Sequence, residues 1–302
     1  MARVTLLVGD RRGRFPGSNC LIIKGAKNAV LIDAGCKREQ VESARNHVDA
    51  VLYTHIHPDH ITHHELLRGK PVIAPAADAA YESLEALAQR YAPEAWREWL
   101  RYVDTVFGLR SVPRADRAYE PWEEVRVGDV SIETIPAPGH TQGHTLLIID
   151  GHLHLSDIDL TSFGPWYGHP ESSITQFISD IAAARAVRAA LATTSHRERA
   201  FTPEELDQEL DRYLRALCRQ AQEVHAALRR SGPAKPRSLA GAGVIYKKYI
   251  PGMEEIMRYF ERMMIWKLLD HLTLVGAAKR TGRGLYEAGQ PPDCTQIAGH
   301  TI

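Results

Sequence analysis

The sequence predicts an α/β fold in which strands and helices alternate over the first 200 residues and helices dominate the rest. Three observations carry this. Short runs of apolar and β-branched residues, bounded by turn residues, recur through the first half. Helical periodicity takes over after Thr202. Strand ends in the first half repeatedly carry histidine or aspartate, and five of the 15 histidines (His55, His57, His60, His63, His64) fall within ten residues.

The elements follow in order. Strands are expected at Arg3–Val8, Asn19–Lys24 and Ala29–Asp33, the last two joined by the turn-like Gly25-Ala26-Lys27-Asn28. Asp33-Ala34-Gly35 ends the third strand, and a short helix follows near Lys37–Asn46. Ala50–Thr54 is a buried-strand pattern running into the histidine cluster, and Pro71–Ala74 is another strand. Leu84, Leu87, Trp96, Trp99, Leu100 and Val103 recur at helical spacing, as two helices broken at Ala92-Pro93. Strands return at Glu124–Val127, Val130–Ile135, Thr145–Ile149 and His152–Ser156. A helix near Ser172–Ala190 and a strand at Leu191–Ser195 complete the half. Thr202-Pro203-Glu204-Glu205 then starts a long helix: Thr202 can cap, Pro203 suits the first position, and Glu205 closes a capping box. Its apolar face recurs at 206, 210, 214, 217, 221, 224 and 228, and Ser231-Gly232-Pro233 ends it. A basic, Pro-rich linker runs through Ser238, followed by a helix pair near 253–274 and a hairpin at Ala277–Ala288.

Composition bounds the function. The 302 residues are 44% hydrophobic and 25% charged with zero formal net charge, so the chain as a whole advertises no polyanion partner. No apolar run reaches the roughly 18 residues of a membrane span, and Met1–Val8 is too short for a signal peptide and reads as a strand. The cysteines (Cys20, Cys36, Cys218, Cys294) are scattered, pointing to neither a disulfide framework nor a thiolate zinc site. A cytoplasmic address is the expectation that follows.

Thr54-His55-Ile56-His57-Pro58-Asp59-His60 is the chemical signal. On an extended segment His55 and His57 point the same way and can reach one ion. Asp59 and His60 follow in a turn helped by Pro58 and can aim at a second position beside it. His140, in Pro138-Gly139-His140-Thr141-Gln142-Gly143-His144, Asp157 and His196 arrive at strand ends, where a rigid scaffold can converge distant ligands. Imidazole and carboxylate suit zinc, with iron or manganese as alternatives. Two such ions about 4 Å apart can share a water and lower its pKa toward about 7, giving a bridging hydroxide that attacks a carbonyl or phosphorus. Asp59 is placed to accept the nucleophile's proton.

His-x-His-x-Asp-His, a Pro-Gly-His-Thr-x-Gly-His segment, a strand-end Asp and a strand-end His, in that order over residues 3 to 196, resemble the metallo-β-lactamase superfamily. The resemblance implies an αββα sandwich with metals at one edge of the sheets. It assigns His55, His57 and His140 to a first ion and Asp59, His60 and His196 to a second, with Asp157 bridging. Two positions depart from the pattern. Ser156 stands where a Gly usually precedes the bridging Asp, and Asp159 is a rival to Asp157. The last His sits in Ser195-His196-Arg197 rather than in a Gly-rich turn. His144, His63 and His64 are candidates to support the ligands from behind. Alone, His63, His64, His152, His154 and His169 read as structural, and Trp96, Trp99, Met263, Met264 and Trp266 read as core.

The substrate is less determined. Phe163, Trp166 and Tyr167, just beyond Asp157, are candidate pocket walls. Residues 201–302 form a helical C-terminal region that, from about 238, is similar to the winged-helix domain of β-lactamase-like single-strand endoribonucleases. Arg229, Arg230, Lys235, Arg237, Lys247 and Lys248, with no acid among residues 229–248, could track phosphates. Three readings follow: a dinuclear hydrolase of a small-molecule ester, thioester or lactone; an endoribonuclease using the same metals; and a non-catalytic binding or regulatory protein. A homodimer is compatible with the tail acting as a dimerisation element. A two-iron redox variant ranks below these, because the chain shows no Gly-rich nucleotide loop.

Overall fold

A computed structural model describes residues 1–299. Two sheets face each other. The first has six strands in sequence order: β1 (Arg3–Leu7), β2 (Cys20–Lys24), β3 (Ala29–Ile32), β4 (Ala50–Leu52), β5 (Val72–Pro75) and β6 (Arg117–Tyr119). The first two pairings are antiparallel and the rest parallel. The second sheet runs β11 (Leu191–Thr193), β10 (His152–His154), β9 (Thr145–Ile149), β8 (Val130–Pro136) and β7 (Glu124–Val127), antiparallel except for β10–β11.

The two-residue period of a strand divides each sheet's side chains between two cores. Leu21, Ile23, Val30 and Ile32 meet Val130, Ile132, Leu147 and Ile149 between the sheets. From the opposite face of the first sheet, Cys20 and Leu31 pack on α1 (Arg38–Arg45), α4 (Leu84–Tyr91) and α5 (Trp96–Phe107). The outer face of the second sheet packs Leu146, Leu153 and Leu155 against α6 (Ile174–Ala186) and α7 (Pro203–Ser231). The result is the expected αββα sandwich. The short α2 (Pro58–Ile61) and α3 (Ala76–Ala79) extend from the ends of β4 and β5.

The capping box of α7 forms as expected: Glu205 N donates to Thr202 Oγ1 (3.3 Å), and Thr202 N donates to Glu205 Oε2 (2.9 Å). All seven predicted apolar positions of α7 are buried. After it come α8 (Pro236–Leu239), α9 (Glu254–Leu274), the hairpin β12 (Ala278–Thr281)–β13 (Leu285–Ala288) and α10 (Cys294–Ala298). Four expectations need correction. The helix pair at 253–274 is one helix, because residues 254–274 hold neither Gly nor Pro to break it. The linker contains α8, whose Pro236 occupies the first turn. Trp266 is 40% exposed rather than core. Cys218 on α7 and Cys294 on α10 form a disulfide, their Cα atoms 5.3 Å apart. Their sequence separation of 76 hid a pairing that only helix packing creates. Ala234 pairs with Tyr286 beside the hairpin, but α9 does not stand clear as a groove-reading helix. Its first half packs on α5 through Ile256, Phe260 and Met263, and its second half joins α7 through Leu268 and Leu272. Among the described residues no helix is long and apolar enough to cross a membrane.

Candidate metal centre

Each ligand residue is delivered by a short connection that leaves a strand. The chain after β4 stays extended through His55 and His57, and Pro58 then starts α2, which carries Asp59 and His60. Gly35 lets this helix seat: a Cβ there would fall 1.6 Å from the Asp59 carbonyl oxygen. His140 lies between β8 and β9. Its loop crosses α6 at Gly139, where a Cβ would lie 2.3 Å from Phe177 Cα, and Gly139 N donates to Asp180 Oδ2 (2.7 Å). Asp157 follows Ser156, whose φ of +47° lies in the left-handed region that favours glycine. Ser156 occupies it with its hydroxyl bonded to Thr54 Oγ1 (2.9 Å), which accounts for the departure from Gly. His196 follows β11, and Asn19 braces its turn by donating to the Thr194 and Arg197 carbonyls (3.2 and 2.8 Å). That bracing stands in for the missing glycines.

These connections bring all seven residues into two clusters. His55, His57, His140 and Asp157 form one, and Asp59, His60, Asp157 and His196 the other, the ligating atoms of each within 4.8 Å of one another. All are buried. Asp157 belongs to both, whereas the rival Asp159 spends its carboxylate on Thr161, accepting from its amide (2.9 Å) and hydroxyl (3.2 Å).

The donor set fits divalent ions, and the fit is visible in the orphaned atoms. His55 Nε2, His60 Nε2 and Asp157 Oδ1 are buried without a hydrogen-bond partner, an arrangement costly unless something else satisfies them. His60 Nε2 and Asp157 Oδ1 lie 3.0 Å apart without hydrogen-bond alignment. His140 Nε2 and His57 Nδ1 face each other at 2.9 Å. The outward nitrogens explain why lone pairs point inward. His140 Nδ1 donates to the Trp166 carbonyl (2.9 Å), His196 Nδ1 to the Gly13 carbonyl (2.8 Å) and His60 Nδ1 to Asp33 Oδ2 (2.8 Å). Each bond fixes the tautomer that leaves Nε2 free to ligate.

Charge divides the clusters. Burial, then the neighbouring imidazoles, hold His55 and His57 well below the ordinary histidine range. Burial would also lower His60 and His196, but the surrounding aspartates win: His60 is raised well above its usual range and His196 is pushed up to about 9. Asp157 resists the upward push of burial and sits well below the usual carboxylate range, mainly because of His60 and His196.

His144 supports the centre as expected. Its Nδ1 donates to the Ala137 carbonyl (2.8 Å), its Nε2 accepts from Asp157 N (2.9 Å), and burial pushes it down to about 3. His63 and His64 do not. His64 Nε2 donates to the Ser111 carbonyl (3.0 Å), and His63 is half-buried among Arg38 and Asp10. His152 and His154 are structural, both bonded to Thr193 Oγ1. The clusters open into a cleft of 790 Å³, whose walls include Phe163, Trp166 and His169. Tyr167 is not a wall: it is fully buried, with its hydroxyl on Gln220 Oε1 (2.7 Å), because the chain turns its side chain toward α7.

Sequence reasoning missed the carboxylates behind the ligands. Asp33 accepts from Thr54 N, Thr54 Oγ1 and His60 Nδ1. Asp78 accepts from Ile56 N (3.2 Å) and from Arg90 (2.7 Å), which also grips Glu171. Only Asp33 left a trace, as the acid ending the apolar strand Ala29–Ile32.

Comparison with known proteins agrees with this geometry. Residues 13–155 match the family described as the metallo-beta-lactamase superfamily, a stretch that includes His55 to His140. A metallo-beta-lactamase family protein from Thermus thermophilus superposes with a TM-score of 0.69 at 18% identity, over 95% of this chain and 98% of that one. A beta-lactamase domain protein from Burkholderia ambifaria gives 0.64 at 18% identity, over 90% and 88%. A hydroxyacylglutathione hydrolase from Acidiphilium cryptum (strain JF-5) is 30% identical over 126 residues, which is 41% of this chain and also 41% of that protein, so the match spans about two-fifths of the curated relative. With the fold, the ordered ligand residues and this match in agreement, the chain carries a metallo-β-lactamase superfamily domain.

Proposed function

We propose that the chain is a dinuclear metal-dependent hydrolase acting on an ester, thioester or lactone of a small molecule, with two zinc-class ions. One observation carries the reading: two clusters sharing Asp157 lie at the floor of a cleft large enough for a small-molecule substrate. His55, His57, His140 and Asp157 would hold one ion, and Asp59, His60, His196 and Asp157 the other. Bound there, such ions would lower the pKa of a water and polarise the substrate carbonyl. The chain supplies the rest. Asp59 lines the cleft beside His196, its Oδ2 3.4 Å from Nε2, and takes the attacking water's proton at its carboxylate. His144, Asp33 and the Trp166 carbonyl hold the ligands in place. Trp166, Phe163 and Phe260 exclude water from one side of the cleft.

A nuclease reading is the alternative, favoured by the exposed Arg229, Arg230 and Lys248 and by Lys279, Arg280 and Arg283 on the hairpin. From residue 238 onward the chain's share of the cleft is Tyr246, Ile250, Met257 and Phe260, which are apolar or aromatic. Of the cations after residue 200 only Arg212 of α7 lines it, so the basic cluster at 229–248 and the hairpin cations stand outside the cleft, and this favours the small-molecule substrate. The test is metal analysis of the purified protein, then hydrolysis of thioesters, lactones, phosphodiesters and short RNA. His57→Ala should abolish whichever activity appears, and persistence of that activity would refute the metal mechanism. Salt separates the substrates: RNA binding weakens steeply between about 50 and 200 mM, whereas turnover of an uncharged ester barely changes.

A further inference from the structure

The cleft walls carry two kinds of chemistry, aromatic beside His57 and His140 and cationic beside His196. On the aromatic wall an unbroken chain of rings leads outward. Trp166 packs on His57 and His140 (ring centroids 5.8 and 5.9 Å), Phe260 on Trp166 (5.3 Å), Tyr102 on Phe260 (6.1 Å), Phe107 on Tyr102 (5.7 Å) and Phe15 on Phe107 (5.8 Å). Among the described residues, eight large hydrophobic side chains are exposed. Three of them, Phe15 (49%), Phe163 (37%) and Ile250 (38%), stand around this one mouth. Exposed apolar groups gathered at a cleft point to an apolar ligand.

On the cationic wall stand Arg12, Arg14, Arg197 and Arg212. Their placement is tied to His196: Gly13, between Arg12 and Arg14, accepts from His196 Nδ1 (2.8 Å), and Arg197 is the next residue in the chain. Glu198 pairs with Arg12, and Glu209 serves both Arg197 (3.2 Å) and Arg212 (2.7 Å). Four guanidinium groups against Glu198, Glu209 and the cleft-lining Asp159 leave one positive charge in excess. Arginine forks suit phosphate and carboxylate.

The geometry points to a substrate class: an open-chain acyl thioester or ester with a bulky apolar acyl part and an anionic thiol or alcohol part. This rests on the hydrolase reading above. The acyl chain lies along Trp166, Phe260 and Tyr102, the scissile carbonyl lies over the clusters, and the phosphate or carboxylate of the leaving group meets the arginines. In the reaction, water's oxygen forms a C–O bond to the acyl carbon as the C–S or C–O bond breaks. The departing sulfur or oxygen takes one proton, and the released acid gives its own to solvent at neutral pH.

The test uses the full-length, zinc-loaded protein and thioesters differing in one part at a time. Octanoyl and acetyl esters of coenzyme A, of glutathione and of neutral N-acetylcysteamine separate the acyl requirement from the charge requirement. They also separate phosphate from carboxylate. The expected result is at least a tenfold higher kcat/KM for octanoyl than for acetyl, and at least tenfold for an anionic thiol over the neutral one, the latter shrinking with salt. Arg14→Ala should cut the anionic preference several-fold, and Arg14→Lys should restore part of it. The thioether S-octyl-coenzyme A, which cannot be hydrolysed, gives a binding constant independent of turnover. Turnover with equal rates for charged and neutral thiols, or for acetyl and octanoyl, overturns the proposed class and leaves the hydrolase reading standing. Tight thioether binding without turnover of any ester supports the ligand class and overturns the hydrolase reading. Neither binding nor turnover overturns both.

Discussion

The two clusters share Asp157 and diverge in charge. The first gathers three imidazoles around one carboxylate, and its buried His55 and His57 are held neutral. The second sets two imidazoles between Asp59 and Asp157, with Asp33 behind His60, and these acids keep protons on His60 and His196. An imidazole ligates only when neutral. The first cluster is therefore ready to accept an ion at neutral pH, while the second must first shed protons. Identical ligand types, arranged differently, give two sites of different readiness.

The largest expected effect tests this directly. Metal-free protein titrated with zinc at pH 6 should take up about one equivalent tightly, and near pH 9 about two. The sign follows from the raised pKa of His196: below about 9 the proton is bound and competes with metal, so second-ion affinity climbs with pH and flattens above about 9. With His60 also releasing its proton, the apparent affinity should change by up to about 100-fold per pH unit. Calorimetry in buffers of different ionisation enthalpy counts the protons released. Two equivalents of equal affinity at both pH values would erase the distinction.

A smaller effect comes from Asp33, the acceptor behind His60. Asp33→Asn suits the test because its φ of +59° lies in the left-handed region that Asn tolerates as Asp does. The substitution removes the charge facing His60 Nδ1 and puts donors among Thr54 N, Thr54 Oγ1 and His60, each of which needs an acceptor. Second-ion affinity should fall by about 10- to 100-fold, with first-ion affinity changing only a few-fold. Equal losses at both sites would mean that Asp33 holds the whole ligand loop rather than one ring.

Legibility in the sequence follows the same physical divide. His55 to His60 are readable because a strand end and one helical turn place them locally, and His140, Asp157 and His196 because strand ends converge on one sheet edge. The strands were legible wherever apolar residues alternated or ran together. The three-residue β6, Arg117–Tyr119, was not, because only pairing with β5 defines it. Asp180 looks like any acid on a helix, and only the packing of α6 on Gly139 turns it toward the His140 loop. The C-terminal contribution to the cleft was hidden too. Tyr246 reaches it because the buried Glu261 accepts from Gly241 N, Ile245 N and Tyr246 N (2.7, 3.0 and 3.2 Å), pinning residues 241–246 onto α9. That is a long-range arrangement with no local signature.

The smallest effects distinguish two neighbouring residues that the sequence grouped together. Trp166 holds the first cluster through its backbone carbonyl, which accepts from His140 Nδ1, and faces the cleft with its side chain, donating from Nε1 to Tyr246 Oη (2.6 Å). Trp166→Ala should therefore raise KM roughly tenfold by removing about 2 kcal/mol or less of apolar contact, while first-ion affinity holds, because the carbonyl survives the substitution. A variant with unchanged KM and kcat would remove Trp166 from the substrate wall. One that lost zinc would show that the indole, and not only the carbonyl, secures His140. Tyr167 points the other way, into the core beneath α7, with its hydroxyl on Gln220. Tyr167→Phe should leave KM and metal content alone and lower stability by about 1 kcal/mol, since it leaves a buried amide oxygen without its donor. Denaturant unfolding measures that loss. Were the kinetics to move instead, the floor of the cleft would extend through Tyr167 to α7, and the first cluster would be coupled to the C-terminal helices more tightly than a backbone carbonyl alone allows.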